Sequence, residues 1–183
     1  MTTIRFAIAP TVLGAFGLAW TDAGIVRTWL HDRTVEATRR QVLRAFPAAV
    51  ESPPPPDVGA AVADVSAMLA GESRSPAVGL DVHGIPDFDR RVYELARAIP
   101  YGETRTYGAV AKALGEEPMR ARDVGVALSR NPFAPIVPCH RIVGANGQLG
   151  GYSAPGGAST KRRLLELEGA AIVAPPAQAT LFE

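Results

Sequence analysis

The segment NPFAPIVPCHRIVGANGQLGGY, residues 131–152, decides how this chain is read, because it holds Cys139, the only cysteine among 183 residues. Any thiol chemistry falls to that one side chain. Pro132, Pro135 and Pro138 deny the segment a helix, fix three φ angles and bias the residues before them towards extended conformations. The proline spacing predicts a stiff, extended arm presenting Cys139. Neighbours on such an arm point to opposite faces, so His140 is expected to reach the sulfur only through a sharp turn or a water. A lone cysteine is ordinarily a small buried hydrophobe. Here the proline support, the adjacent His140 and Arg141, and the glycine-rich run that follows argue for chemistry.

Upstream of this arm, PDFDRRVYELARAI (86–99) carries an apolar stripe of Phe88, Val92, Leu95, Ala96 and Ile99 and reads as a packing helix. PYGET makes a turn, Thr106 caps TYGAVAKAL (106–114), and Gly115 ends it. Pro118 then opens a third helix, MRARDVGVALSR (119–130). Two short helices joined by a tight turn are the pattern of a helix-turn-helix. At about 100° per residue, Ala121, Val124, Ala127 and Leu128 face the core. Arg122, Gly125, Val126 and Ser129 share the outer face, which is small apart from the arginine and so lets the helix backbone approach a partner surface. Asn131 with Pro132 ends this helix.

Downstream, glycines at 144, 147, 150 and 151, then 156 and 157, allow the backbone close to a flat ligand. The last helix, capped near Ser159, runs to Leu167–Glu168 and stops at Gly169. A carboxylate in the last turn opposes the helix dipole, so Glu168 calls for a reason.

The N-terminal part carries no catalytic constellation. RFAIAPTVLGAFGLAW (5–20), TDAG and IVRTWL predict two strands of a hairpin. TVEATRRQVLRAF (34–46) predicts a helix capped by Thr34, SPPPPD (52–57) a loop, residues 57–70 a second helix, and PAVGLDV (76–82) a strand. One cysteine excludes an internal disulfide, and three scattered histidines give no metal-site spacing. No segment approaches a transmembrane span. The charge is uneven: residues 1–88 hold 7 basic and 9 acidic residues, residues 89–183 hold 12 and 9. Only the second part leans towards a polyanion.

PCHRI (138–142) resembles the PCHRV hallmark of the O6-alkylguanine-DNA alkyltransferases, also called methylated-DNA–protein-cysteine methyltransferases. The resemblance runs through IPYGETRTYG (99–108), RARDVG (120–125), the NP before PCHR, GGYSAPGG (150–157) and LLELEG (164–169), in the family's order. It implies a small α/β domain over residues 1–85, then a mainly α domain over 86–172 with a helix-turn-helix and an extended active-site segment, and a flexible tail over 173–183. The implied activity is irreversible, single-turnover transfer of an alkyl group from O6-alkylguanine in double-stranded DNA to Cys139, with O4-alkylthymine as a second substrate and the base flipped into the site. No cofactor, metal, membrane or obligatory protein partner is implied, and the protein is expected to be a cytoplasmic monomer that meets DNA at the nucleoid.

Residue by residue, the resemblance makes Glu168 the group that holds His140, and His140 the base that acts on Cys139 through a water. Tyr107 lies by the turned phosphate and near the base, and Arg122 takes the place of the extruded nucleotide. Gly125, Val126 and Ser129 belong to the DNA-facing helix. Asn131 ties that helix to the active-site strand, with Arg141 as further support. Ala134, Gly151, Tyr152 and Ser153 line the pocket. Asp123 stands where most members carry a small residue, and a carboxylate near phosphates predicts weakened binding. The Ala134–Pro135 order predicts poor reaction with bulky benzyl-type free-base substrates. Relatives that bind lesions without repairing them commonly carry Trp in place of Cys139. A cysteine hydrolase would draw its Cys and His from separated segments, and a regulator would need a second DNA-binding module.

Overall fold

The structure, a computed structural model, describes residues 2–32 and 34–171; the tail expected from 173 onward lies outside them. Strands β1 (Arg5–Thr11), β2 (Gly14–Thr21) and β3 (Gly24–Asp32) form an antiparallel meander, and the short β4 (Val50–Glu51) adds in parallel beside β1, giving the order β3-β2-β1-β4. The expected two-stranded hairpin is thus corrected to a four-stranded sheet. The long apolar run splits at Val12–Leu13, where the Thr11 hydroxyl donates to the Gly14 carbonyl at 2.7 Å and Gly14, at φ 120°, reverses the chain.

Side chains alternate across a strand, and β2 shows the consequence. Phe16, Leu18 and Trp20 enter the main core, whereas Ala19 joins Phe6, Trp29 and Val42 on the opposite face. That second face is covered by α1 (Val35–Ala45), capped by Thr34, whose hydroxyl accepts from the Ala37 amide at 3.1 Å. Gly17 sits under this helix, and a Cβ there would fall 2.6 Å from the Thr38 methyl. Helix α2 (Pro56–Leu69) starts with Pro56 in its first turn and buries Val58, Ala61, Val65 and Leu69 in the main core.

The strand expected over 76–82 reduces to one bridge, Ile25 with Leu80, in which the Ile25 amide donates to Gly79 and its carbonyl accepts from Asp81. A longer pairing has no room. The next outward-facing amide of β3, on Thr28, donates to the Pro132 carbonyl at 2.8 Å.

Helix α3 (Asp87–Arg97), the short β5 (Arg105–Thr106), α4 (Tyr107–Ala113), α5 (Ala121–Ser129), β6 (Ile142–Val143) and α6 (Gly157–Leu167) complete the chain, with β5 and β6 paired in parallel. Thr106 caps α4 by accepting from the Ala109 amide, and Gly115 at φ 77° follows its end. The helix expected from Pro118 begins instead as a 3-10 turn, Pro118–Arg120, and becomes α-helical at Ala121. The cap expected near Ser159 is replaced by Gly156, left-handed at φ 84°, so α6 starts at Gly157. One apolar core runs from the sheet through α2 to α3, α4, α5 and Leu164. The architecture is an α/β N-terminal part and a mainly helical C-terminal part with a helix-turn-helix. Among the described residues, no helix is long and apolar enough to cross a membrane.

Candidate active site and nucleic-acid interface

The arm that carries Cys139 is not extended. The Val137 amide donates to Phe133, the Cys139 amide to Val137 and the Arg141 amide to Pro138, so Cys139–Arg141 forms a 3-10 turn. Pro135 follows a cis peptide bond. Asn131 braces this turn from the end of α5: its amide nitrogen donates to the Val137 carbonyl at 3.0 Å, and its oxygen accepts from the Phe133 amide at 2.9 Å. The turn lets neighbouring side chains diverge, with Cys139 on one side and His140 and Arg141 on the other.

Cys139 lies at the wall of a cavity of about 550 Å3 that opens along α5. Tyr107, Arg122, Gly125, Val126, Ser129, Gly151, Tyr152 and Ser153 border the same cavity, so most of the residues expected at the pocket and interface are brought together. Gly125 leaves its missing side chain facing the Tyr107 ring, where a Cβ would be 3.8 Å away. Arg122 is exposed at the rim, and among the described residues it makes no ion pair. Ala134 is the exception. Its carbonyl is drawn to the Thr28 hydroxyl at 2.6 Å, and it lines a separate cleft of about 280 Å3 on the sheet side.

Behind the cysteine, His140, Arg141 and Glu168 form a buried knot. His140 Nε2 lies 2.7 Å from Glu168 Oε1. Arg141 donates from Nε and Nη2 to the two Glu168 oxygens at 2.8 and 2.9 Å, and from Nη1 to the Ile99 carbonyl at 2.7 Å. The Gly102 amide adds a donor to Glu168 at 3.2 Å. Glu168 is the C-cap residue of α6, and its side chain turns into this knot. Burial pushes the carboxyl up, but the hydrogen bonds and charges of His140 and Arg141 outweigh it and hold it at about 2. Burial lowers the His140 ring below its ordinary value despite the carboxylate, so His140 is neutral at pH 7. A carboxylate can only accept, so Nε2 carries the proton. The lone pair is left on Nδ1, which is buried and has no hydrogen-bond partner among the described residues.

Burial raises the Cys139 thiol, opposed by a hydrogen bond from Asn131 and the charge of Lys161. Lys161 is the residue that the sequence reading missed. It is 0% exposed, donates to the Ile142 carbonyl at 2.5 Å and to the Tyr107 hydroxyl at 3.4 Å, and burial lowers it to about 8. Its signal lay in the helical spacing, since Lys161 stands on the inward stripe of Leu164, Leu165 and Glu168. The adjoining Arg162 and Arg163 made it resemble a solvated run. The Tyr107 hydroxyl is raised by burial and then by Cys139.

Residues 87–170 match the family model described as 6-O-methylguanine DNA methyltransferase, DNA binding domain. The methylated-DNA–protein-cysteine methyltransferase of Mycobacterium tuberculosis is 40% identical over 181 residues, covering 99% of this chain and 97% of that protein. The crystal structure of the Mycobacterium tuberculosis O6-methylguanine methyltransferase matches with a TM-score of 0.71 at 37% identity, over 92% of this chain and 93% of that one. Mycobacterium tuberculosis OGT in complex with DNA gives 0.70 at 37% identity, over 90% and 92%. Likeness sustained along nearly the whole of both chains, through the sheet as well as the cysteine turn, shows that the chain belongs to the methylated-DNA–protein-cysteine methyltransferase family.

Proposed function

We propose that this chain repairs O6-alkylguanine in double-stranded DNA by moving the alkyl group onto Cys139, once per protein molecule. The observation that carries this reading is the placement of Cys139 in a cavity that opens along α5, backed by a neutral histidine with a free Nδ1 lone pair. O6 is stacked inside the duplex, so the damaged base is flipped into the cavity at a cost of a few kcal/mol. Arg122 at the rim fills the gap that the base leaves. The small residues Gly125 and Ser129 let α5 lie close to the backbone.

In the reaction the Cys139 proton passes through a water to His140 Nδ1. The thiolate then attacks the alkyl carbon in line with the C–O6 bond. The S–C bond forms as the C–O6 bond breaks, and the departing guanine takes a proton from the Tyr107–Lys161 pair, leaving as a neutral base. Glu168 keeps the histidine in the tautomer that can accept, by the logic of other oriented bases. The product is a thioether, which water does not cleave, so turnover stops. O4-alkylthymine is the second substrate, presenting an alkylated oxygen of the same kind. Residues 1–85 act as the support and residues 86–172 as the working domain, in a monomer that needs no protein partner and acts on DNA in the cytoplasm.

Intact mass after mixing with a duplex carrying one O6-methylguanine tests the reading, with Cys139→Ser alongside. A stoichiometric gain of one methyl, mapped to Cys139 and lost in the variant, is the expected result. DNA binding without mass gain would reduce the protein to a lesion-recognition module.

A further inference from the structure

Asp123 lies in the first turn of α5, beside Arg122, where a bare carboxylate would repel phosphates. It is not bare. Arg120 Nε is 2.6 Å from Asp123 Oδ2, and Nη1 of the same guanidinium is 3.1 Å from Glu116 Oε2. The guanidinium also stands over the Phe88 ring, 5.4 Å from its centroid. One side chain thus joins α3, the turn after α4 and the start of α5. Isolated surface ion pairs contribute little, but a guanidinium shared by two carboxylates and seated on an aromatic face is a network. The two neighbouring arginines divide their duties accordingly: among the described residues Arg122, at the cavity rim, has no ion pair, whereas Arg120 is occupied.

We propose that Arg120 is a positioning residue for DNA engagement, which masks Asp123 and clamps the helix-turn-helix without itself contacting a phosphate. The inference rests on the reading of α5 as the DNA-facing helix. Removing Arg120 alone leaves two uncancelled carboxylates beside the duplex. Removing Asp123 alone leaves Arg120 paired with Glu116 and the cluster one negative charge lighter. Removing both returns the local charge to its starting value, so under masking the double variant regains the parent's affinity and also keeps the parent's salt slope.

The test is anisotropy titration of an undamaged fluorescent duplex between about 50 and 200 mM salt, using the full-length protein, R120Q, D123N, the double variant and R122A. R120Q is expected to weaken binding about tenfold at low salt, D123N to tighten it severalfold, and the double variant to return within about twofold of the parent. Were Arg120 a phosphate ligand, R120Q and the double variant would each lose about one unit of salt slope, whatever affinity D123N restores. That outcome, or parent-like binding by R120Q, overturns the proposal. Arg122→Ala reports separately on the underlying reading: if it binds as tightly as the parent, or the parent does not bind duplex, α5 does not face DNA and the masking role falls with it.

Discussion

The ammonium of Lys161, fully buried on α6, lies 3.4 Å from the Tyr107 hydroxyl and 5.5 Å from the centroid of its ring. A cation held there without a hydrogen-bonded carboxylate favours negative charge at both Tyr107 and Cys139. Lys161→Met is therefore expected to slow single-turnover alkyl transfer at neutral pH by about 10- to 100-fold. Removing the charge removes its own desolvation cost, which offsets the roughly 1–3 kcal/mol of leaving the Ile142 carbonyl without this donor. The melting temperature should fall by no more than several degrees.

The same pair shapes the pH profile. Burial raises the Cys139 thiol, so the thiolate fraction, and with it the transfer rate, climbs as pH rises above neutral. Lys161 loses its proton near 8, which withdraws the supporting charge and bends the curve over. A rate measured from pH 6 to 10 is expected to rise and then flatten or fall beyond about 8. The bend should be absent in Lys161→Met.

Stability on the acid side follows from the knot behind the cysteine. Glu168 has a folded value of about 2 against an ordinary 4.5, so its contribution is present above 4.5 and lost as pH falls towards 2. His140, lowered by burial from 6.5, is charged more readily when unfolded, so its protonation also favours unfolding, beginning below 6.5. Thermal melts should show a gentle decline under pH 6.5 and a steeper one under 4.5. Glu168→Gln leaves the buried Arg141 without its counter-charge and should cost about 3–5 kcal/mol. It also frees the His140 tautomer, so transfer by the folded fraction should drop by about 100-fold or more, read by mass spectrometry.

Among the described residues the buried Tyr152 hydroxyl has no hydrogen bond of good geometry, although it is near enough to Cys139 for the sulfur to raise it further beyond the effect of burial. Removing a buried, unmatched hydroxyl relieves a desolvation cost of about 1–3 kcal/mol. Tyr152→Phe should raise the midpoint of chemical denaturation. A lower midpoint would mean that the sulfur contact is a genuine bond.

The sequence made Cys139, His140 and Glu168 legible for different reasons. The first was conspicuous as the only thiol, the second by adjacency, and the third by sitting where a helix dipole disfavours it. Lys161 was hidden because a KRR run looks solvated, and only the packing of α6 decides which of three cations turns inward. Ala134 was misplaced because its carbonyl, not its side chain, fixes its position, and a bond to Thr28 across 106 positions leaves no local trace. Residues 76–82 had strand composition, yet the edge they would have extended was already shared with Pro132. Asp123 was read as a lone charge because its partner Arg120 lies on a separate turn.

That shared edge has a further meaning. β3 is the outermost strand of the sheet, and the cysteine-bearing arm covers part of it through the Thr28 amide and hydroxyl. An uncovered edge strand is a template for the strand of another molecule. Whatever dislodges the arm, including a bulky adduct on Cys139, therefore uncovers a self-association surface, and the spent protein should aggregate sooner than the fresh one.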